Sequence, residues 1–530
     1  MTEYVNICFN PFDIKGRIKT NSTISEAAQQ LNVPLRSECG GKGTCGKCKV
    51  RVDASHALTP KTATENKVLG DDPTPDIRLG CQARVIDDLT VMVPEDAIAP
   101  IKALDKGIDG KTTLASPVKT IRNRESNGTP ILGVAVDIGT TTIAVYLCDM
   151  NSGDILSAQA AVNPQRPHGE DVISRIAAVR ENPSMLHTLQ HLVVKALNEL
   201  ITACLKTGGY QHDHIHSMTI VGNTTMQHIF SGLDISNLGV SPYLPETVDP
   251  VRLLAGELGL RMPDETPVYV FPVISGFLGG DILSALLGDR SFDKTDTTLI
   301  IDIGTNGELI LTENGRFWAT SCATGPALEG AQISCGMRAA PGAVSRVFYV
   351  PSPDPRIEFE TIGNKKAVGI CGSGIIDAMA AMRKAGIIQE TGNLKDGLEK
   401  SYTFPGASIR ITLKDIRQVQ LAKSALFVGI ESLLEAAGVS RVDRTILTGA
   451  FGARFNWENA RDIGMIPDSI CQHSIESATN LAGSGAVMAL LDDQYKQKIE
   501  TIAREVTFLD LATTPDFITR FSDATRFPEI

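Results

Sequence analysis

The sequence predicts an α/β protein in two parts: a small mixed α+β domain, then a larger and internally duplicated α/β fold. Three observations carry this. Four cysteines, Cys39, Cys45, Cys48 and Cys81, fall near the N-terminus, three of them in one glycine-rich loop. An apolar strand followed by Asp-Ile-Gly-Thr occurs twice, with its aspartates at Asp137 and Asp302. Strand-like and helix-like stretches alternate through the remainder, the pattern of α/β layers.

Residues 1–95 read as a β-grasp domain of the ferredoxin type. Val5–Phe9 alternates like a strand, and Thr23-Ile-Ser-Glu26 is a capping box that opens a helix through Gln30. Lys49–Val52 reads as a strand, and Cys81 precedes a last strand at Leu89–Val93. Between them runs Cys39-Gly-Gly-Lys-Gly-Thr-Cys45-Gly-Lys-Cys48. A 2Fe–2S cluster needs four thiolates and a tightly bent backbone, which Gly40, Gly41, Gly43 and Gly46 permit. The plant-type spacing leaves four residues between the first two ligands. Here there are five, a spacing that more closely resembles the vertebrate-type and hydroxylase-linked ferredoxins. A zinc site would show two short Cys pairs, and this chain has one.

Residues 96–130, rich in Lys, Asp, Gly, Ser and Thr, read as a linker. The duplicated fold follows, with halves at 131–290 and 291–530. Met185–Thr202 and Val419–Ala437 carry helical patterns, and Arg444–Leu447 is strand-like. His212, His214 and His216 read as a polar loop before a strand at Met218. Cys148, Cys204, Cys322, Cys335, Cys371 and Cys471 lack ligand spacing and read as small buried residues.

Composition narrows the function classes. The 530 residues carry a net charge of −11 without a long basic run, which argues against nucleic acid as a partner. No apolar stretch approaches the roughly 20 residues needed to span a bilayer. The N-terminus lacks the basic start and apolar middle of a signal peptide, so the expected location is cytoplasmic. Eleven cysteines spread over the chain show no secreted disulfide pattern.

The repeated turns suit phosphate. Gly139 and Gly304 let the backbone approach a ligand, and backbone N–H groups with Thr140, Thr141, Thr142, Thr305 and Asn306 offer donors. Asp137 and Asp302 are placed to hold Mg²⁺, directly or through water. Asn223 and Thr224 end another apolar strand at a small polar turn and are expected to face the same cleft. There is no Gly-x4-Gly-Lys-Ser/Thr P-loop, and no Gly-x-Gly-x-x-Gly opens either repeat. Gly369-Ile-Cys-Gly-Ser-Gly374 reads as a helix-opening turn near the nucleotide.

This order resembles the actin, sugar-kinase and heat-shock chaperone ATPase superfamily, which implies a duplicated actin-like fold with ribonuclease-H-like halves. Asp137–Thr142 and Asp302–Gly307 match its two phosphate motifs, and Leu447-Thr-Gly449-Ala450-Phe-Gly452 resembles its adenosine motif. Ser275–Asp281 and Gly483-Ser-Gly485-Ala resemble the two interdomain connecting helices. The resemblance implies ATP as ligand, a catalytic role for Asp302 through its metal, and a general-base role for Asp281, whose alternative is a helix N-cap.

A ferredoxin domain joined to such an ATPase resembles the ATP-dependent reductive activators of corrinoid-dependent methyltransferases. Asn163–Arg175, Gly222–His228, Ser241–Pro245, Gly325–Gly330, Gly336-Met-Arg338 and Gln420–Lys423 add specific stretches to the match. The resemblance implies one-electron reduction of an inactive Co(II) corrinoid protein to Co(I), an upstream low-potential electron donor, and compatibility with a homodimer. The other classes weighed are an ATP-dependent activator of 2-hydroxyacyl-CoA dehydratases or benzoyl-CoA-type reductases, and a nucleotide-switched redox sensor.

Overall fold

The computed structural model describes residues 4–11, 14–31, 33, 35–36, 41–44, 46–70, 76–94, 97, 130–304, 306–330, 332–395, 397, 400–449, 455–471 and 473–529. Among these, the chain packs as two units. One gathers the described residues of Met1–Ala103 and Val162–Val193, the other those of Leu104–Ala161 and Val194–Ile530.

In the first unit, β1 (Tyr4–Asn10), β2 (Ile14–Lys19), β3 (Lys49–Val52), β4 (Ile77–Leu79) and β5 (Leu89–Met92) form one mixed sheet. Its order is β2-β1-β5-β3-β4, with β1 and β5 parallel, as a β-grasp domain requires. The alternation in β1 buries Val5, Ile7 and Phe9, which share a core with Ile24, Ala27 and Ala28 of the helix Ile24–Gln30. That helix starts at the expected capping box: Thr23 Oγ1 accepts from Glu26 N at 3.1 Å and Glu26 Oε2 from Thr23 N at 2.7 Å. Ala97 is buried in the same core. Apart from Ala97 and Pro130, the expected linker lies outside the described residues. Residues 162–193 contribute the helix Val172–Glu181, capped by Asp171, and a fully buried Arg175 bonded to Gly169 O and Gln165 Oε1.

The second unit contains the duplication. β6 (Leu132–Ile138), β7 (Thr142–Asp149), β8 (Ile155–Val162), β9 (Ile215–Gly222), β10 (Val251–Leu254) and β11 (Pro267–Val270) form the first sheet, in the order β10-β11-β9-β6-β7-β8. β12 (Thr298–Ile303), β13 (Gly307–Glu313) and β14 (Arg316–Cys322) open the second copy. A small sheet of β15 (Ala343–Val350), β16 (Arg356–Thr361) and β17 (Gly369–Ile370) follows, then a hairpin of β18 (Ser401–Thr403) and β19 (Arg410–Thr412). β20 (Arg444–Thr448), β21 (Ser474–Ser477) and β22 (Thr507–Phe508) complete the second sheet, β21-β20-β12-β13-β14-β22.

Each copy is thus a three-stranded antiparallel meander with further strands added in parallel beside its first strand: β9 beside β6, and β20 beside β12. The central β6 is buried along its whole length, as expected of a strand covered on both faces. The helices Gly280–Asp289 and Leu481–Leu491 pack directly on each other. At their contact, a Cβ on Gly485 would overlap Ser284 O, and Ser284 Oγ donates to Ala482 O at 2.6 Å. The small residues of the Gly483-Ser-Gly485-Ala phrase are therefore a close helix contact.

Two local expectations change in detail. The strand expected at Met218 already begins at Ile215, after a 3₁₀ turn at His212–His214. The run Gly369–Gly374 does open a helix, Gly372–Lys384, and packs closely there: a Cβ on Gly374 would overlap Val344 O, and Ser373 Oγ donates to Ser345 O.

Candidate functional site

The cysteine site is built on the strands and helix around it. Cys39 and Cys45 lie outside the described residues. Cys48 and Cys81 are brought together in a buried cluster with Leu69 and Leu79, their sulfurs 3.4 Å apart. That separation is far beyond the ~2.05 Å of a disulfide. It is close to the ~3.8 Å that tetrahedral geometry gives two thiolates on one metal with ~2.3 Å bonds. Gly41, Gly43 and Gly46 all have positive φ, so the loop needs glycine at these points to bend round the sulfurs. Gln82 donates to Gly41 O at 2.6 Å, tying the loop to the residue after Cys81.

Behind the sulfurs lies an ion pair that sequence reading passed over. Arg78 Nε and Nη2 each meet a Glu65 carboxylate oxygen at 3.0 Å, and both side chains are buried. Burial opposes ionisation of Glu65, yet Arg78 and the N–H groups of Thr62 and Leu79 hold its carboxyl below the usual range. The same carboxylate completes a capping box with Thr62 on the helix Ala63–Leu69. One side chain thus locks that helix to β4, the strand that leads into Cys81. The available signal was the Thr62-x-x-Glu65 spacing, the same as at Thr23.

The second unit gathers the expected phosphate-site residues. Asp137 and Asp302 lie near the ends of β6 and β12. Asn223 caps the helix Thr224–Ser231 by accepting from Met226 N, and its Nδ2 donates to Thr140 Oγ1 at 2.8 Å. The turn after β6 and the turn after β9 are therefore in contact. Thr140 and Thr141 are partly exposed at the tip, whereas Thr142 and Thr224 are buried, and Thr224 Oγ1 donates to Ser275 O at 2.6 Å. Gly449, at φ +89°, abuts Asp302 so closely that a Cβ would collide with its Oδ1. Gly304 opens on space, with Glu329 Oε1 4.0 Å from where a Cβ would stand. Thr305, Ala450 and Gly452 lie outside the described residues, while Asn306 is partly exposed.

Asp281 is the second residue of the helix Gly280–Asp289, whose N-cap is Gly279, so the N-cap reading does not hold. Its Oδ1 accepts from Ile282 N at 3.1 Å. Burial, then the charges of Asp302 and Asp137, push its carboxyl up to about 7. An acid that feels an aspartate from each copy stands between the two phosphate-type turns.

Glu308 is a fourth acid that sequence reading missed. The first hairpin closes with Ile138 opposite Ile143, which puts Ala144 opposite Asp137. The second closes with Ile303 opposite Gly307, one residue sooner, which puts Glu308 opposite Asp302. Directly opposite residues share a face, so the shorter turn delivers Glu308 to the site. There its carboxyl is hydrogen-bonded to that of Asp281; burial, then Asp281 and Asp302, raise it far above the usual range. The signal in the sequence was an acid in an otherwise apolar strand.

The remaining candidates resolve as structure. His212 Nε2 is hydrogen-bonded to Thr202 Oγ1 at 3.1 Å, and His214 Nδ1 accepts from Gln211 N. Burial pushes the thiols of Cys204 and Cys322 up to about 11 and about 12, which keeps them protonated and inert.

Three family models match successive stretches of the chain. Residues 12–85 match the 2Fe-2S iron-sulfur cluster binding domain, 132–291 the RACo middle region, and 296–530 the C-terminal domain of RACo, the ASKHA domain. The corrinoid activation enzyme RamQ of Eubacterium limosum is 30% identical, covering 96% of this chain and 97% of its own length. A Co(II) methylated amine-specific corrinoid protein reductase of Methanosarcina barkeri is 26% identical over 63% of this chain and 66% of its own. A solved reductive activator for corrinoid, iron-sulfur protein aligns over 99% of this chain and 98% of its own, with 28% identity and a TM-score of 0.67. Similar along nearly its full length in both sequence and fold, the chain belongs to the family of reductive activators of corrinoid proteins, in which a 2Fe–2S ferredoxin domain is joined to an ASKHA-type fold.

Proposed function

We propose that this chain carries out the ATP-dependent, one-electron reduction of a Co(II) corrinoid protein to Co(I), returning a corrinoid-dependent methyltransferase system to activity. The observation that carries the reading is the union, in one chain, of a ferredoxin-type thiolate site and a cleft with an aspartate turn from each of two copies. The relatives that share this whole arrangement are named for corrinoid activation.

In this reading Cys39, Cys45, Cys48 and Cys81 hold a 2Fe–2S cluster, which supplies a single low-potential electron. Asp137 and Asp302 hold Mg²⁺, and the backbone and hydroxyls of Gly139–Thr142 and Gly304–Asn306 bind the phosphates of ATP. Asn223 holds Thr140 in place. Gly449, Ala450 and Gly452 make room for the adenosine. Asp281, near its midpoint of ionisation at neutral pH, orients the attacking water and takes its proton. Glu308 keeps a proton between itself and Asp281 until the metal and nucleotide arrive. A separate low-potential protein would reload the cluster, and the setting would be the cytoplasm.

The test is anaerobic and optical. The reduced protein is mixed with a Co(II) corrinoid methyltransferase component, and the Co(I) absorbance is followed with and without Mg·ATP. Co(I) is expected only with Mg·ATP. Equal Co(I) formation without nucleotide would remove the ATP coupling, and none under either condition would remove the activator reading.

A further inference from the structure

Gln227 belongs to a stretch, Gly222–His228, whose Asn223 is bonded to Thr140 of the first phosphate-type turn. It is 2% exposed, and both ends of its amide are used. Nε2 donates to Phe271 O at 2.6 Å, just beyond β11, and Oε1 accepts from Gly280 N at 2.7 Å. Gly280 is the first residue of the helix that carries Asp281.

The first turn of a helix has N–H groups without intrahelical partners. This helix begins at Gly279, which has no side chain to cap them. Asp281 satisfies two: its carboxylate accepts from Ile282 N and from its own N–H. A further donor of this turn, Gly280 N, is met by Gln227, a residue of another helix. The start of the Asp281 helix is thus fixed from outside by one amide, anchored in turn on Phe271 O.

That amide sits on Thr224–Ser231, whose N-cap Asn223 bonds to Thr140 of the first phosphate-type turn. The short helix therefore touches the phosphate turn at one end and the Asp281 helix about a turn later. We propose that Gln227 is a positioning residue: it sets the helix start that carries Asp281 and links it, through the Thr224–Ser231 helix and Asn223, to the Thr140 turn. The inference rests on the reading of Asp281 as the base.

A base displaced by about 1 Å can lose up to about 100-fold in rate without losing its substrate. Gln227→Met removes both hydrogen bonds at similar volume, and Gln227→Glu keeps the acceptor for Gly280 N. The measurement is steady-state ATP hydrolysis and Mg·ATP affinity for both variants, for Asp281→Asn, and for the double variant Gln227→Met/Asp281→Asn. Expected is a kcat loss of about 10- to 100-fold in Gln227→Met, with KM and affinity within about twofold, and partial recovery in Gln227→Glu. The double variant should turn over no more slowly than Asp281→Asn alone. Unchanged kcat in Gln227→Met, or losses that multiply in the double variant, would overturn the inference. Should Gln227→Met fail to fold, the same kcat-against-KM comparison on Gln227→Asn, one methylene too short to span Phe271 O and Gly280 N, decides it: full wild-type rate together with a lower melting temperature marks a purely structural amide. Wild-type turnover in Asp281→Asn would instead overturn the base assignment and the inference with it.

Discussion

Asp281 stands between aspartates from the two copies of the fold, and its charge is costly before any cation arrives. The consequence for stability has a definite sign. Its folded value of about 7 lies above its ordinary 3.8, so between these the folded state holds a proton that the unfolded chain has released. Without nucleotide and metal, its contribution to stability is therefore greatest at low pH, falls as pH rises through that window, and levels off above it. Asp281→Asn removes the titration. The melting temperature of the variant should fall less than that of the wild type between about pH 4 and about pH 7. An equal or steeper fall in the variant would show that Asp281 is ionised in the ligand-free protein.

At the scale of elements, the Glu65–Arg78 pair fastens the helix Ala63–Leu69 to β4. Glu65→Leu leaves a buried guanidinium without its partner, a change that costs about 3–5 kcal/mol. Thermal bleaching of the cluster should come at a correspondingly lower temperature, and an unchanged bleaching curve would make the pair dispensable. What the sequence disclosed at this scale follows from local rules. β1, the Ile24–Gln30 helix, Lys49–Val52 and the two Asp-Ile-Gly-Thr hairpins each announce themselves within a few residues, by alternation, a capping box or a repeated turn. The missed features are all non-local. Glu65 and Arg78 look like solvated charges until the helix meets the strand. Glu308 reaches the site only through a hairpin register, and Gln227 only through a neighbouring helix. Residues 162–193 are bracketed by a strand and a helix of the duplicated fold, yet they pack in the unit of the ferredoxin domain. Nothing in their periodicity could report that.

At the scale of the molecule, the thiolate site and the carboxylate cleft are drawn from different packed units. Cys48→Ser should abolish the visible and EPR signals of a 2Fe–2S cluster while Mg·ATP affinity stays within about twofold. A parallel loss of nucleotide binding would mean that the two sites fold as one. Energetic linkage between the sites during turnover is a separate matter, and it need not be large. A two-state coupling of about 3 kcal/mol is worth about 130 mV to one electron. That is a substantial help to a cluster working near about −400 mV.

The halves of the ATPase-type fold are not interchangeable, because a different residue faces the aspartate in each. In the first copy Ala144 faces Asp137. In the second, a turn one residue shorter closes the same pairing and sets Glu308 opposite Asp302. Only the second copy therefore offers its aspartate a facing carboxyl, where the first presents a methyl group.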